Sequence, residues 1–432
     1  VEVFGVKNAY DTLLERGFIE QVTDDQNIQA LFMRDRITCY IGFDPTAASL
    51  HIGSLVPIMA LAHMQRHGNR PIVLLGGGTA LIGDPSGKTE MRQVLTKEQV
   101  DENAQALKQQ LSKYVDFDDD NALLLNNADW LTKLNYIEFL RDIGRHFSVN
   151  RMLAAESYKT RLEKGLNFIE FNYMLLQAYD FFYLNRHYDC TLQMGGNDQW
   201  GNMVAGIDLT RRLEGKTVYG ITFPLIITSL GHKMGKTEKG TIWLDSELTR
   251  PYDYFQYWIN TDDQDVERFL ALFTFLPMEE IREIRRLEGS ELNMAKVVLA
   301  FEATKITHDE EAAVSAWEES ASNFNLNPVD QTLFKSSSIP RSQVIQQDVS
   351  AIPVFVKTRE EVVTIPIPEL FEETNLCASR GETKRLIAQG GIYVNERRIQ
   401  SIDERITIDD IDQNGEIRLR KGKKKYARIR VG

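Results

Sequence analysis

A chain of 432 residues, 43% hydrophobic and 26% charged, has the composition of a soluble globular protein with two or three separate cores. It has no apolar run of 18 residues, which excludes a membrane-spanning helix, and residues 1–11 carry acids without a continuous apolar stretch, so a cytoplasmic protein without a secretory leader is expected. The net charge of −12 argues against a nucleic-acid partner on average, yet eight basic residues and no acid lie between Arg418 and Arg430. A basic end on an acidic body points to local contact with an anionic polymer, the plain alternative being a solvated tail.

Residues 8–34 have a helical mixture of apolar and polar positions. Residues 37–43 read as a strand ending at the turn Asp44-Pro45-Thr46. Leu55, Ile58, Met59 and Ala62 share one face of a helix starting near His51, Gly68 closes it, and 71–75 read as the next strand. Strand, helix and strand at this spacing form a βαβ unit, hence a parallel sheet with right-handed crossovers. Strands are further expected at 123–125, 190–194 and 218–228, with helices at 135–146, 170–184 and 198–213. Asp44, Gly76 to Gly78, and Gln193 to Gln199 all follow strands, so they should converge beyond the strands' carboxyl ends.

The expected fold class is α/β: a Rossmann-like parallel-sheet domain over 1–228, then a charge-rich all-helical domain over 229–324. A linker over 325–364 contains Ser336-Ser337-Ser338 and several prolines, and a small α+β domain follows over 365–432. In the last, a helix is expected over 379–389, a turn at Gly390-Gly391 and a strand over 392–395. Cys39, Cys190 and Cys377 are scattered without ligand spacing, so reduced thiols and no protein-bound metal are expected.

Two short stretches carry the chemistry. Tyr40-Ile41-Gly42-Phe43-Asp44-Pro45-Thr46 leads into Leu50-His51-Ile52-Gly53, placing an imidazole and backbone N–H groups at a helix start, where anions are held. Gly231-His232-Lys233-Met234-Gly235-Lys236-Thr237 offers two lysines on a polar loop. Alone, each has a structural reading: a helix-capping histidine, or lysines solvating a surface. Gly83-Asp84-Pro85-Ser86-Gly87-Lys88 lacks the spacing of a phosphate-binding loop, which disfavours a P-loop ATPase. Tyr173, Gln177 and Asp180 fall at i, i+4 and i+7, on one face of a single helix; an inward Asp180 would be costly without a hydrogen-bonding partner.

Together, the two stretches resemble the HIGH and KMSKS signatures of class I aminoacyl-tRNA synthetases. Their surroundings resemble those of the bacterial tyrosyl-tRNA synthetases over nearly the whole chain. The resemblance implies ATP-dependent activation of L-tyrosine to tyrosyl-adenylate, with Mg2+ accompanying ATP as co-substrate, and transfer to the 3′ end of tRNA(Tyr). It places Tyr40 and Asp180 at the phenolic hydroxyl, and Gly42, Asp84, Tyr173, Gln177, Gln193 and Gln199 around the rest of the amino acid. It assigns Asp44, His51, Gly53, Ser54, Gly196, Asp198, Lys233, Met234 and Lys236 to the nucleotide. Thr46, His51, Lys233, Lys236 and Thr237, with Lys88 and Arg92, become the groups that stabilise charge on the transferring phosphate. Such cations and N–H donors suit the reaction, because a carboxylate is already a nucleophile and needs chiefly alignment and electrostatic help.

Gln193-Met194-Gly195-Gly196-Asn197-Asp198-Gln199-Trp200-Gly201-Asn202 resembles the family's Gly-Gly-x-Asp-Gln-Trp-Gly-Asn segment. The helix from Ser379 with Gly390 to Asn395 resembles an S4 RNA-binding domain, which implies RNA contacts from Arg380, Lys384, Arg385, Lys423, Lys424 and Lys425. Ser54 replaces the second histidine of HIGH and Ile41 a polar-capable neighbour of the ribose, departures that bear on nucleotide affinity. A homodimer is implied, with 130–147 at its interface, although Ile137, Leu140 and Ile143 would equally suit an internal core. Two rivals are a tryptophanyl-tRNA synthetase, which shares both signatures, and a non-catalytic RNA-binding or splicing-assistance protein on the same scaffold.

Overall fold

The computed structural model describes residues 7–34, 36–86, 95–155, 158–159, 162–163, 165–231, 233–237, 240–324, 332–340, 354–395, 397–412, 415–422 and 425–432. The chain divides into two compact units, Val1–Ala316 with Val329–Ile339, and Trp317–Pro328 with Pro340–Gly432.

The first unit is built on a six-stranded sheet of order β1-β6-β5-β2-β3-β4. Strands β2 (Thr38–Phe43), β3 (Arg70–Leu75), β4 (Leu123–Asn126), β5 (Leu192–Gly196) and β6 (Tyr219–Phe223) run parallel, and the two-residue β1 (Gln21–Val22) joins antiparallel at the β6 edge. Strands β2 and β3 are nearly continuous apolar runs because helices cover both faces of a parallel sheet. From β2 the chain winds outward through β3 and β4, then returns to build β5 and β6 on the other side. The carboxyl ends of β2 and β5 therefore flank a crevice at the point of reversal.

The expected elements are present with shifted ends. The helix at His51 starts as a single 3-10 turn, Ile52–Ser54, before Leu55–Arg66. Strand β6 ends at Phe223, ahead of Pro224, which has no N–H to donate to a ladder. The helix carrying Tyr173 and Asp180 is longer than expected, Phe168–Tyr188, and stops at Asp189 in the left-handed region (φ 52). The expected 135–146 helix divides into Tyr136–Asp142 and a 3-10 turn, Gly144–His146.

The helical part contains Pro251–Ile259, Val266–Phe273 and Ser290–Thr307 around fully buried Trp258, Phe255, Phe269, Phe273 and Phe301. It belongs to the same compact unit as the sheet rather than standing apart. One reason is Arg16, a buried guanidinium that donates to the carbonyls of Ala271, Thr274 and Leu276. Those carbonyls lie at the end of the Val266–Phe273 helix, where helical acceptors are left unpaired and a cation is favoured.

The range read as a linker is partly built. Phe334 and Ile339 are buried, Ser336 bonds Glu280, and Ser337 and Ser338 bond Glu302, so the serine run holds onto two carboxylates instead of spacing domains. Residues 354–357 form a strand, β9 (Val354–Lys357), and Arg359–Thr364 a helix, both part of the second unit.

The second unit is a five-stranded sheet of order β11-β10-β12-β13-β9. It comprises β10 (Ile392–Val394), β11 (Arg397–Arg398), β12 (Glu416–Lys421) and β13 (Lys425–Val431); β9 pairs parallel to β13 and the other pairs are antiparallel. Helices Ile367–Glu373 and Arg380–Gln389 contribute Ile367, Leu370, Phe371 and Ile387 to a core shared with Ile392, Val394, Ile417, Leu419, Ala427 and Ile429. The described part of the basic run is therefore two paired strands, β12 and β13, rather than a tail: aliphatic residues alternate with the cations and face inward.

Candidate active site

A cleft of about 530 Å³ opens at the crevice between β2 and β5. Its lining includes Tyr40, Gly42, Asp44, Thr46, His51, Gly53, Ser54, Asp84, Tyr173, Gln177, Asp180, Gln193, Gly196, Asp198 and Gln199, so expected site residues from five separate segments meet there.

At the closed end sits Asp180. It is buried, and each of its oxygens accepts a hydrogen bond: Oδ2 from Asn127 Nδ2 at 2.9 Å and Oδ1 from Trp130 Nε1 at 2.8 Å. Burial pushes its carboxyl up to about 7, against the pull of those two donors. Tyr40 stands beside it on β2, 1% exposed, and its hydroxyl has no hydrogen-bond partner among the described residues. Gln193, opposite Tyr40 on β5, likewise has an unpartnered Oε1 among those residues. Unpaired buried polar atoms cost free energy unless something binds them, and these two line the same cavity as the Asp180 carboxylate. The slot is thus prepared for a molecule that supplies a hydroxyl and further polar groups.

Asn127 and Trp130 were not singled out by sequence. Both lie just after β4, and Asn127 also accepts from Gly78 N at 2.7 Å and donates to Thr79 Oγ1 at 3.0 Å. Trp130 is 6% exposed and stacks on Tyr183 with ring centroids 4.3 Å apart. Its indole is used inside the protomer, on Asp180. Tyr136 and Ile137, from the same expected stretch, are exposed.

Further along the cleft, Asp84 is buried, accepts from Ser86 N at 2.9 Å and from Gln199 Nε2 at 2.8 Å, and has its carboxyl pushed up to about 6, chiefly by burial. Asn202 donates to Gln177 Oε1 and Gln199 Oε1, both at 3.0 Å, which orients the two amides. Asp44 accepts from Thr79 Oγ1 at 2.7 Å and from Tyr173 Oη at 3.0 Å. A Cβ at Gly76 would collide with that carboxylate, so only glycine lets the β3 turn pass so close.

At the open end, His51 caps the Ile52–Ser54 turn: its Nδ1 accepts from Gly53 N at 3.0 Å. With Nδ1 an acceptor, the neutral ring carries its proton on Nε2 and can donate there. The lysine-bearing loop is docked on this turn. Met234 N donates to Ile226 O, Ile242 N to Gly235 O, and Ile52 N to Ile242 O, each at 3.0–3.1 Å. Gly235 holds φ +87, and a Cβ there would lie 3.3 Å from Gly53 N. Lys233, Met234, His51, Gly53, Gly196 and Asp198 line one adjoining cavity. Of Lys236 and Thr237 only the backbone is described, as a short strand β7 (Lys236–Thr237) paired with β8 (Gly240–Thr241). Lys88 and Arg92 lie outside the described residues.

In the second unit, Ser379 caps the Arg380–Gln389 helix through Glu382 N at 3.2 Å. Lys384 and Arg385 are exposed on that helix, whereas Arg380 is bound to Glu369 and Glu372 at 2.8 and 2.9 Å. Such exposed pairs contribute little to stability. Lys423 and Lys424 lie outside the described residues, and of Lys425 only the backbone is described. Among the described residues no group of three or more His, Cys, Asp or Glu side chains is arranged to hold a metal ion, and no helix is long and apolar enough to cross a membrane.

Residues 33–325 match the family model described as tRNA synthetases class I (W and Y), and residues 344–429 that of the tyrosine–tRNA ligase SYY-like C-terminal domain. The chain is 63% identical over 427 residues to a tyrosine–tRNA ligase of Syntrophus aciditrophicus, covering 99% of each. It is 60% identical to that of Desulfosudis oleivorans, covering 98% of each. Among solved structures, a C-terminally truncated mitochondrial tyrosyl-tRNA synthetase of Aspergillus nidulans superposes with a TM-score of 0.66 at 30% identity, over 73% of this chain and 94% of that one.

Proposed function

The chain belongs to the class I tRNA synthetases, in the tyrosine–tRNA ligase family, and on that premise we propose how its residues divide the work. The reaction is the ATP-dependent joining of tyrosine to tRNA(Tyr). A tyrosine carboxylate oxygen forms a bond to the α-phosphorus of ATP as the bond to pyrophosphate breaks; the terminal hydroxyl of tRNA then attacks the adenylate carbonyl and AMP leaves.

Asp180 accepts the phenolic O–H and Tyr40 completes that contact. The observation carrying this reading is a buried carboxylate fixed by two donors beside an unpartnered tyrosine hydroxyl, in one cavity. Asp84, Tyr173, Gln177 and Gln199 hold the ammonium end, and Gln193 the carboxylate side. Gly42, Asp44, Gly53, Ser54, Gly196, Asp198 and Met234 border the nucleotide, which binds with Mg2+ as co-substrate. Thr46, His51, Lys233, Lys236 and Thr237, with Lys88 and Arg92, stabilise charge building on the α-phosphate and the departing pyrophosphate. The second unit, through Lys384, Arg385, Arg380 and the 423–425 lysines, holds tRNA. A homodimer formed through the apolar face that includes Tyr136 and Ile137 is part of the same reading.

The deciding experiment is ATP–pyrophosphate exchange with each amino acid in turn. Tyrosine should drive it, and tryptophan and phenylalanine should not; tryptophan-driven exchange would favour the tryptophanyl rival, and RNA binding without exchange the non-catalytic one.

Acidity gives a second check. Tyrosine binding needs Asp180 and Asp84 ionised, and in the empty site these titrate near 7 and 6. Each pH unit below a required carboxylate's value costs a factor of ten, so affinity for tyrosine should fall about a hundredfold from pH 8 to pH 5.5. Stability of the empty enzyme runs the other way. Both carboxyls hold protons more tightly folded than unfolded, so their penalty builds as pH rises from about 4 to about 7. Calorimetric titration with tyrosine between pH 5.5 and 8 tests the affinity, and a value flat across that range would contradict it.

A further inference from the structure

The geometry points to a base-stacking platform on the outward face of the second unit's sheet, a site for unpaired RNA nucleotides. The inference rests on the reading that this unit binds tRNA, and adds to it which face holds bases and how.

The strand register sets four residues in one row across four strands. Arg398 of β11 is opposite Tyr393 of β10, Tyr393 opposite Arg420 of β12, and Arg420 opposite Tyr426 of β13. Their neighbours Ile392, Val394, Leu419 and Ala427 are core residues under the helices, so Tyr393, Arg420 and Tyr426 face away from the helices. They are half-buried and Arg398 is exposed. The Arg420 guanidinium lies 3.7 Å from the Tyr393 ring centroid and donates to Gly422 O at 2.8 Å, which fixes it in place. At the other end the Arg398 guanidinium lies against Gly390, where a Cβ would run into it.

Several other cations of the unit are taken up by carboxylates. Arg380 pairs with Glu369 and Glu372, Lys421 with Glu382, and Arg397 with Glu404 and Asp410. On the outward face itself, Glu416 is bound by Arg428 and Arg430. The row contains no acid, and a ring stacks against its central arginine. Aromatic rings and planar guanidinium groups side by side are what stacks on unpaired bases, while the positive charge suits the flanking phosphates. Duplex RNA is read through phosphates and ribose hydroxyls and has no use for such rings.

The test uses the full-length enzyme and a tRNA(Tyr) transcript in filter binding. Tyr393→Leu, Tyr426→Leu and Arg420→Lys should each weaken binding about ten- to hundredfold. The slope of log affinity against log salt should stay unchanged, because no phosphate contact is lost. Tyr393→Phe, which keeps the ring, should bind as the unaltered enzyme does, and tyrosine-dependent pyrophosphate exchange should be unaffected throughout. Unchanged binding in those three variants, with loss in Lys384→Ala/Arg385→Ala, would overturn the platform and leave the tRNA reading standing. Weaker binding with a shallower salt slope would also overturn it, making the row a phosphate contact. No loss in either set would overturn both.

Discussion

Asp180→Asn should lower kcat/KM for tyrosine in pyrophosphate exchange by about 10- to 150-fold and remove most of the preference over phenylalanine. The carboxylate accepts from Asn127 and Trp130 at once, and an amide in its place turns one acceptor into a donor. Donor then faces donor, leaving a buried N–H unpaired at a cost of about 1–3 kcal/mol. The phenol also loses a charged acceptor, about 1.5–3 kcal/mol more. The first cost is present in the empty site as well and so shows as lost stability, whereas the second separates the transition state from free enzyme and substrate and sets the expected range. Phenylalanine, which donates nothing there, is spared the second loss. The fold should survive, since the change removes a buried charge and keeps the volume. Exchange kinetics with both amino acids, beside a thermal melt, measure this. A variant that keeps its tyrosine preference would show that the phenol is read elsewhere.

His51→Ala should slow adenylate formation by about 100- to 1000-fold while tyrosine affinity stays within about twofold. The ring is at the nucleotide end, and removing one donor aimed at developing charge costs rate in that range. Because Nδ1 also caps the Ile52–Ser54 turn, the variant should lose about 0.5–2 kcal/mol of stability. His51→Asn, which can cap and donate, should recover the stability and part of the rate. Pre-steady-state pyrophosphate release separates the two effects. An alanine variant that loses the stability and keeps the rate would reduce His51 to a capping residue.

Much of this site could be read from residue order because its members follow strands or share a helix face. Tyr40 to Thr46 and Gln193 to Gln199 each succeed an apolar run, and the spacing of Tyr173, Gln177 and Asp180 fixes their common side. Asn127 and Trp130 left no such trace. They reach Asp180 from a different element some 50 residues earlier in the chain, and β4, which positions them, is four half-buried residues. The serine run at 336–338 looked like a spacer because hydroxyls that hold Glu280 and Glu302 have the composition of a loop. The strand pair of β12 and β13 was hidden for another reason. Its cations dominate the composition, yet Ile417 and Leu419, then Ala427, Ile429 and Val431, keep a period of two that marks a half-buried strand.

The pairing of β9 with β13 has a consequence for biosynthesis. A strand at 354–357 must wait about 70 residues for its neighbour at 425–431, and closing so long a loop cannot begin until that neighbour has left the ribosome. The sheet-and-helix body closes still longer loops, β1 on β6 and β2 on β5, but all of those strands lie upstream of residue 354 and leave the ribosome first. During translation the nascent chain therefore carries a finished aminoacylation centre tethered to an exposed, unsatisfied β-edge, a stage at which chaperone capture or wrong strand exchange would strike first.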